Sequence, residues 1–404
     1  MAGRFRRDGP ISVVGSVSMG HFLSHVYLLA FPPLFPLLGS YFSLTTTQLG
    51  LLVTAIYIPT LILQLPLGIM VDRIGAKRVL VGGLLLTALA ITAAGFAPTY
   101  QLLLLCAFLS GIGQSVFHPA DYAFLDAVTD ERTEGKAFSA HTFGGYAGFA
   151  AAPAAIGGIA IAIDWRTALV AVGVVGMVYA IIFAIWTPAV YANTRTSADV
   201  TPSLQDTLRL MAGYIHDRDL LGVAVFYFIS MTAVVGLQSF TTVLGVETYG
   251  FSESAANSLL TAHLAAVSIG VLLGGPIADR IHFRPIITSA FVLSALGVWV
   301  AAIGPWDASF IAPLLVFVIV GLVLGGALPA RDQLANSIGD PNATGARFGF
   351  FFTGVSLGAV IAPVVLGYII DRWSEPLAFV VVGVSFACGA VLVFWITSGP
   401  SRHA

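Results

Sequence analysis

HPADYAFLDAVTDERTEGKAFSAHTFGGYAGFAAAPAAIGG, residues 118–158, has a distant copy in LPARDQLANSIGDPNATGARFGFFFTGVSLGAVIAPVVLGY, residues 328–368. At a constant offset of 210, Pro119 meets Pro329, Asp130 meets Asp340, Gly135 meets Gly345 and Phe138 meets Phe348. Gly144, Gly148, Pro153 and Gly157 meet Gly354, Gly358, Pro363 and Gly367. A second match, at offset 207, sets GIMVDRIGAKR (68–78) over GPIADRIHFRP (275–285) and pairs Asp72 with Asp279 and Arg73 with Arg280. The three-residue slip fits loops of different length, so the chain reads as two copies of one plan.

The solvent of that plan follows from composition. Charged residues make up 9 % of the chain and hydrophobic ones 57 %, where a soluble domain carries about 25 % charged residues. No Asp, Glu, Lys or Arg occurs between Gly9 and Val71. A bilayer core about 30 Å thick needs about 20 apolar residues per helical crossing. Splitting the charge-free runs at turn signals predicts twelve helices: 11–38, 46–71, 78–97, 100–127, 135–163, 165–188, 217–245, 253–279, 284–303, 308–337, 345–370 and 376–397. The short alternating segments of a transmembrane barrel are missing from this pattern. Arg4, Arg6 and Arg7 before an apolar run imitate a signal peptide, but the run continues through Pro32, Pro33 and Pro36 without a small-residue cleavage site. It reads as a retained first helix.

Basic residues set the orientation. They collect at the N-terminus, after span 2 (Arg73, Lys77, Arg78), after span 4 (Arg132, Lys136), in the centre (Arg195, Arg209, Arg218), after span 8 (Arg280, Arg284), at Arg347 and at Arg402. The other side has only Arg166 and Arg372. This bias places both termini in the cytoplasm of a multi-pass cell-membrane protein. Six helices repeated in one orientation match the parallel-repeat plan of a transporter. The expected organisation is an N-terminal six-helix bundle at 1–188, a cytoplasmic linker at 189–216 and a C-terminal six-helix bundle at 217–404. Within the linker, TPSLQDTLRLMAGYI spaces Leu204, Leu208, Met211 and Ile215 along one face, with Ser203 as cap and Asp206 in the first turn. That pattern predicts a helix lying on the membrane surface. Cys106 and Cys388 fall inside predicted helices and read as small apolar filler.

Polar residues inside these spans are the candidate site. Gln114, His118, Asp121, Tyr122 and Leu125 share one face of the fourth span, and Ser18, His21 and His25 one face of the first. Charges in a membrane cost several kcal/mol unless paired or hydrated, so they mark pathways. Pro119 is expected to bend this wall. His21, His25, His118 and Asp121 suit a proton relay, since His titrates near neutral pH. The same four form a weaker alternative set of transition-metal ligands. His141 and His263 read as satisfied core histidines, and Asp332 as pairing locally with its helix end. Tyr227, Ser230, Gln238 and Thr241 line the seventh span, and Arg331 is suited to a carboxylate or phosphonate.

GIMVDRIGAKRVL resembles the signature of the major facilitator superfamily between its second and third helices. Gly68, Asp72, Arg73, Gly75, Lys77 and Arg78 fill that pattern, with Ala76 where a basic residue often stands. The second copy keeps Asp279, Arg280 and Arg284, with His282 in place of Gly. GHFLSHVY and FHPADYAF are similar, more loosely, to the fosmidomycin-resistance-like branch, although His25 stands where that branch usually has Asp.

The resemblance implies an all-α fold of two pseudo-symmetric bundles around a cavity lined by helices 1, 4, 7 and 10, with Asp121 and Arg331 facing each other across it. It also implies that Asp72 is a state lock; a carboxylate there can meet the N-terminus of helix 11, which begins near Gly345 with Arg347 in its opening turn, where the dipole favours it. Asp126 reads as joining the interfacial charge network with Asp72 and the basic loop. Gly148, Pro153, Gly157 and Gly158 partly resemble the Gly-Pro motif of the superfamily's antiporters, a pattern that helix packing explains equally well.

Function is then expected to be secondary active transport by alternating access, first as a proton-coupled efflux antiporter of small organic molecules. An uptake symporter of a small organic anion and a divalent metal exporter are the alternatives. Lys77 and Lys136 are the only lysines and neither precedes Ser or Thr, so the phosphate loop of an ATP-driven pump is missing. No nucleophile–base pair points to an enzyme and no cofactor is expected. A net charge of −2 gives no pull toward nucleic acid. The expected partners are a small-molecule substrate, protons and the lipid bilayer, with the chain as a monomer.

Overall fold

A computed structural model describes residues 10–130, 133–187, 204–306, 309–339 and 344–396, with the side chains of Pro10, Asp72, Leu204, Thr207, Thr344 and Ala346 also outside the described set. Among the described residues the regular elements are all helical. Twelve are long and apolar enough to cross a membrane: Ile11–Phe42, Thr46–Val71, Ala76–Ala94, Tyr100–Val128, Glu134–Ala162, Trp165–Trp186, Arg218–Thr248, Glu253–Ala278, Phe283–Ile303, Ile311–Asn336, Arg347–Arg372 and Glu375–Ile396. Large apolar side chains such as Ile185, Trp186 and Ile303 are each more than 70 % exposed. A surface of this kind is a liability in water and is satisfied by lipid.

Four spans are not uninterrupted α-helix: the seventh ends in a π-turn at Leu244–Thr248, and the other three break at proline. The first stops at Leu28, passes through a tight turn at Pro32–Leu34 and resumes as Phe35–Phe42. Pro32 and Pro33 lack the N–H groups that would continue the ladder. The fourth is Tyr100–Gln114 followed by Phe117–Val128. Pro119 offers no N–H to the carbonyl of Ser115, and the break falls there, one turn before the proline. The fifth widens into a π-turn at Pro153–Gly157, which lets the helix absorb a residue it cannot hydrogen-bond.

Packing divides the chain into two compact units, Met1–Phe42 with Ala55–Leu204, and Ser43–Thr54 with Gln205–Ala404. In the first unit, Tyr27 donates its hydroxyl to the Val172 carbonyl at 2.9 Å, tying the first span to the sixth. Arg166 stacks its guanidinium 4.2 Å over Trp165 and donates to the carbonyls of Gly95 and Ala97. In the second unit, Asp371 accepts the N–H of Thr46 at 2.7 Å, the N–H of Thr47 at 2.8 Å and the Thr47 hydroxyl at 2.5 Å. A carboxylate at a helix N-terminus satisfies orphan donors and complements the dipole, so Asp371 fastens the opening turn of the second span.

The sequence repeat reappears as packing inside each unit. A side chain added at Gly144 or Gly148 would run into the carbonyls of Ser18 or Phe22, and one at Gly354 or Gly358 into those of Ala224 or Phe228. These are the repeat partners at offset 210. In both units small residues let helix backbones approach closely, which is how helices associate where lipid removes the hydrophobic drive. The linker residues 188–203, and the cap expected at Ser203, lie outside the described residues. The helix Leu204–Tyr214 follows, with Leu208 exposed and Tyr214 near Phe350.

Candidate functional site in the first unit

Asp121 is completely buried in the second half of the fourth span. Its Oδ2 lies 3.1 Å from Nδ1 of His21 on the first span and 3.7 Å from Nε2 of His141 on the fifth. Neither approach is aligned as a hydrogen bond: both Asp121 oxygens, His21 Nδ1 and both His141 nitrogens lack a hydrogen-bond partner. The His21 and His141 rings stack with centroids 3.9 Å apart and planes inclined by 24°. His25 and His118 flank His21 at ring-centroid distances of 4.4 and 5.4 Å.

Local sequence explains how four imidazoles fit together. Gly145 has no side chain, and a Cβ there would stand 2.8 Å from the rings of both His21 and His25. Gln114 donates to the Ser24 carbonyl at 2.8 Å and fastens the fourth span to the first. Tyr122 is partly exposed and lies edge-on to His141 and tilted against Phe138 and His118. Burying a carboxylate without hydrogen bonds is expensive, so the group is suited to binding a cation, either a proton handed among imidazoles or a metal ion.

His21, His25, Gln114, His118, Asp121 and Tyr122 thus gather in one unit. His141 corrects the sequence reading. Neither of its nitrogens is satisfied, and it lies against Asp121. No helical spacing links it to Asp121 because it arrives on another helix. The one sequence cue was Gly145, one turn further along. His263, by contrast, has Nδ1 3.0 Å from the Phe317 carbonyl and is the satisfied core histidine expected.

In the second unit, Arg331 lies with its guanidinium 5.1 Å above the Tyr227 ring. It donates from Nε and Nη2 to Asp332 Oδ1 at 3.1 and 2.9 Å, so Asp332 pairs with its neighbour in sequence. Gln238, Ser230 and Thr241 are buried, and the two hydroxyls donate back to the Phe226 and Leu237 carbonyls of their own helix. The contacts named for Asp121 belong to the first unit and those for Arg331 to the second.

The charged turn between the second and third spans requires Gly75, whose φ is +91°, a value that favours glycine. Lys77 donates to the Thr187 carbonyl, while Arg73 and Arg78 are exposed. Asp126 is exposed near the end of the fourth span, and Asp279 and Arg280 are exposed after the eighth. Arg284 donates to the Phe394 carbonyl at 2.7 Å. Arg347 is buried and closes the Ile338 carbonyl at 2.7 Å. On the turn before the sixth span, Asp164 accepts the N–H and hydroxyl of Thr167 at 2.9 and 2.8 Å. Those two donors hold its carboxyl below the ordinary range.

Residues 17–255 and 220–404 match the sequence profile of the Major Facilitator Superfamily. The chain is 26 % identical over 363 residues to the uncharacterized MFS-type transporter YfnC of Bacillus subtilis, covering 87 % of this chain and 86 % of that one. It is 25 % identical over 405 residues to the fosmidomycin resistance protein of Escherichia coli, covering 95 % and 92 %. Its fold is similar to that of a bacterial homolog of the human lysosomal transporter Spinster, with a TM-score of 0.80, 15 % identity and 96 % of each chain covered.

Proposed function

The chain belongs to the Major Facilitator Superfamily, and on that premise we propose that it is a proton-coupled exporter of small organic molecules working by alternating access. As a multi-pass membrane protein of this family it moves a small-molecule substrate across a lipid bilayer. The observation that carries the finer reading is the buried Asp121 between His21 and His141. A carboxylate inside a span is costly unless a cation neutralises it, and a proton does so without a large cavity. His25 and His118 extend the path along which that proton is passed.

The direction rests on likeness to a relative named for fosmidomycin resistance and on the Gly-Pro pattern of the fifth span. Arg331 over Tyr227 supplies a cation and an aromatic face suited to an acidic substrate. It supports the second reading, uptake of an organic anion. The turn Gly68–Arg78, with Asp72 and Asp126, and the second copy at Asp279, Arg280, Arg284 and Arg347, serve as the gate. Both termini and the linker helix lie on the cytoplasmic side, and the protein works as a monomer in the cell membrane.

The test is transport in proteoliposomes under an imposed pH gradient. Asp121→Asn is expected to express normally and lose pH-driven transport. Normal transport with an unchanged pH profile in that variant refutes the relay. Arg331→Ala separates the two readings: selective loss of acidic substrates supports the anion symporter, and indifference supports export of neutral compounds.

A further inference from the structure

We infer that His21, Asp121 and His141 form a binding site for a divalent transition-metal ion of the zinc or cobalt kind. The inference stands on geometry, and an ion held there competes with the relay proton for the Asp121 carboxylate. One ligand atom from each residue lies within 4.8 Å of the other two, and all three residues are buried. With metal–ligand bonds of 2.0–2.2 Å, two donors of a tetrahedral site are about 3.4 Å apart. The two separations to Asp121, 3.1 and 3.7 Å, straddle that value, and the two imidazole nitrogens lie within 4.8 Å of each other, so the carboxylate already stands at ligation spacing from both rings.

The donors are also uncommitted. His21 Nδ1, His141 Nε2 and both oxygens of Asp121 make no hydrogen bond, whereas the equally buried His263 spends its Nδ1 on the Phe317 carbonyl. A buried polar atom left without a partner is costly, and ligation relieves several such atoms at once. Two nitrogens and a carboxylate oxygen are a borderline donor set that favours zinc, cobalt or nickel. Calcium and magnesium prefer all-oxygen shells. Three protein ligands leave one position open, as in sites that exchange a ligand rather than closed structural ones. The three residues come from three different spans, so an occupied site also crosslinks the first, fourth and fifth helices.

The experiment uses the full-length chain, tag-free and in detergent, stripped with chelator and titrated with Co²⁺. We expect saturable binding of one ion per chain with tetrahedral ligand-field bands, displaced by Zn²⁺ and not by Ca²⁺. X-ray absorption of the wild-type complex should show two imidazole ligands. His21→Gln, Asp121→Asn and His141→Gln should each abolish binding, while His263→Gln should keep it. Absence of saturable binding, displacement by Ca²⁺, or binding that survives any of the three ligand substitutions overturns the inference. If a variant fails to fold, the wild-type absorption spectrum decides alone, and a shell without two imidazoles overturns the site. Because no pH gradient enters this assay, its failure is separate from failure of proton coupling.

Discussion

Gly358→Ala should loosen the second unit, and its repeat partner Gly148→Ala the first. At Gly358 an added Cβ would stand 2.5 Å from the Phe228 carbonyl oxygen, 3.0 Å from the Thr232 nitrogen and 3.1 Å from Met231 Cβ. Carbon–oxygen contacts between packed helices settle at about 3.3–3.6 Å, so the seventh and eleventh spans must part by about 1 Å. A radial gap of that size forfeits roughly a quarter to a half of the dispersion well for the atoms along the seam. Overpacking of this kind costs about 1–3 kcal/mol. Replacing glycine by alanine inside a helix returns about 1 kcal/mol, which must be removed from the comparison.

Gly275→Ala in the eighth span and Gly158→Ala in the fifth supply that control, because a Cβ at either position meets nothing within 4 Å. Reversible unfolding in mixed micelles should therefore place Gly358→Ala about 1–3 kcal/mol below Gly275→Ala, with Gly148→Ala below Gly158→Ala by a similar amount. Equal stabilities within each pair would refute the reasoning. They would mean that the helices yield without loss and that these glycines are not packing contacts. An effect in one unit and none in the other would break the claim that the repeat is a repeat of packing.

Other outcomes follow from single contacts. Tyr27→Phe removes the hydroxyl donated to the Val172 carbonyl and should cost about 1 kcal/mol in the same assay. Asp371→Asn weakens three hydrogen bonds and a charge at the helix N-terminus opened by Thr46. It should cost about 1 kcal/mol and raise amide exchange at residues near 46–49 first; unchanged exchange there would contradict the cap. Asp164 has its carboxyl held below the ordinary range by Thr167, so the folded state favours the charged form. Its contribution is fully present above the unfolded value of about 3.9 and is lost as pH falls through the lower folded value. Asp164→Asn should lack that acid-side decline, and parallel pH profiles for the two proteins would argue against it.

The membrane class and the helix count were legible from the residues. A chain with 9 % charge has few ways to cross thirty ångströms of hydrocarbon, and backbone hydrogen bonding in lipid leaves helices as the form that fits this pattern. The repeat too was legible, because glycine and proline positions at one offset report backbone approach and turn chemistry that side-chain drift does not erase. The helix interiors were less legible. Pro32 and Pro33 ended a helix drawn as continuous, and Pro119 displaced its break to Ser115–Val116. A lost hydrogen bond acts four residues upstream of the proline that causes it.

The site divides along the same line. His21 and Asp121 could be nominated from sequence, since each is a polar residue on an apolar span and three- and four-residue spacings reveal which neighbours share its face. His141 could not. It meets Asp121 because the fifth helix packs against the first through Gly144, Gly145 and Gly148 and against the fourth through Tyr122, and one-dimensional periodicity carries no information about which helix lies beside which. Sequence alone determined the solvent, the number of spans and the candidate charges within them. Tertiary structure decided which of those charges meet, because that depends on backbone approach distances set by the packing of separate helices.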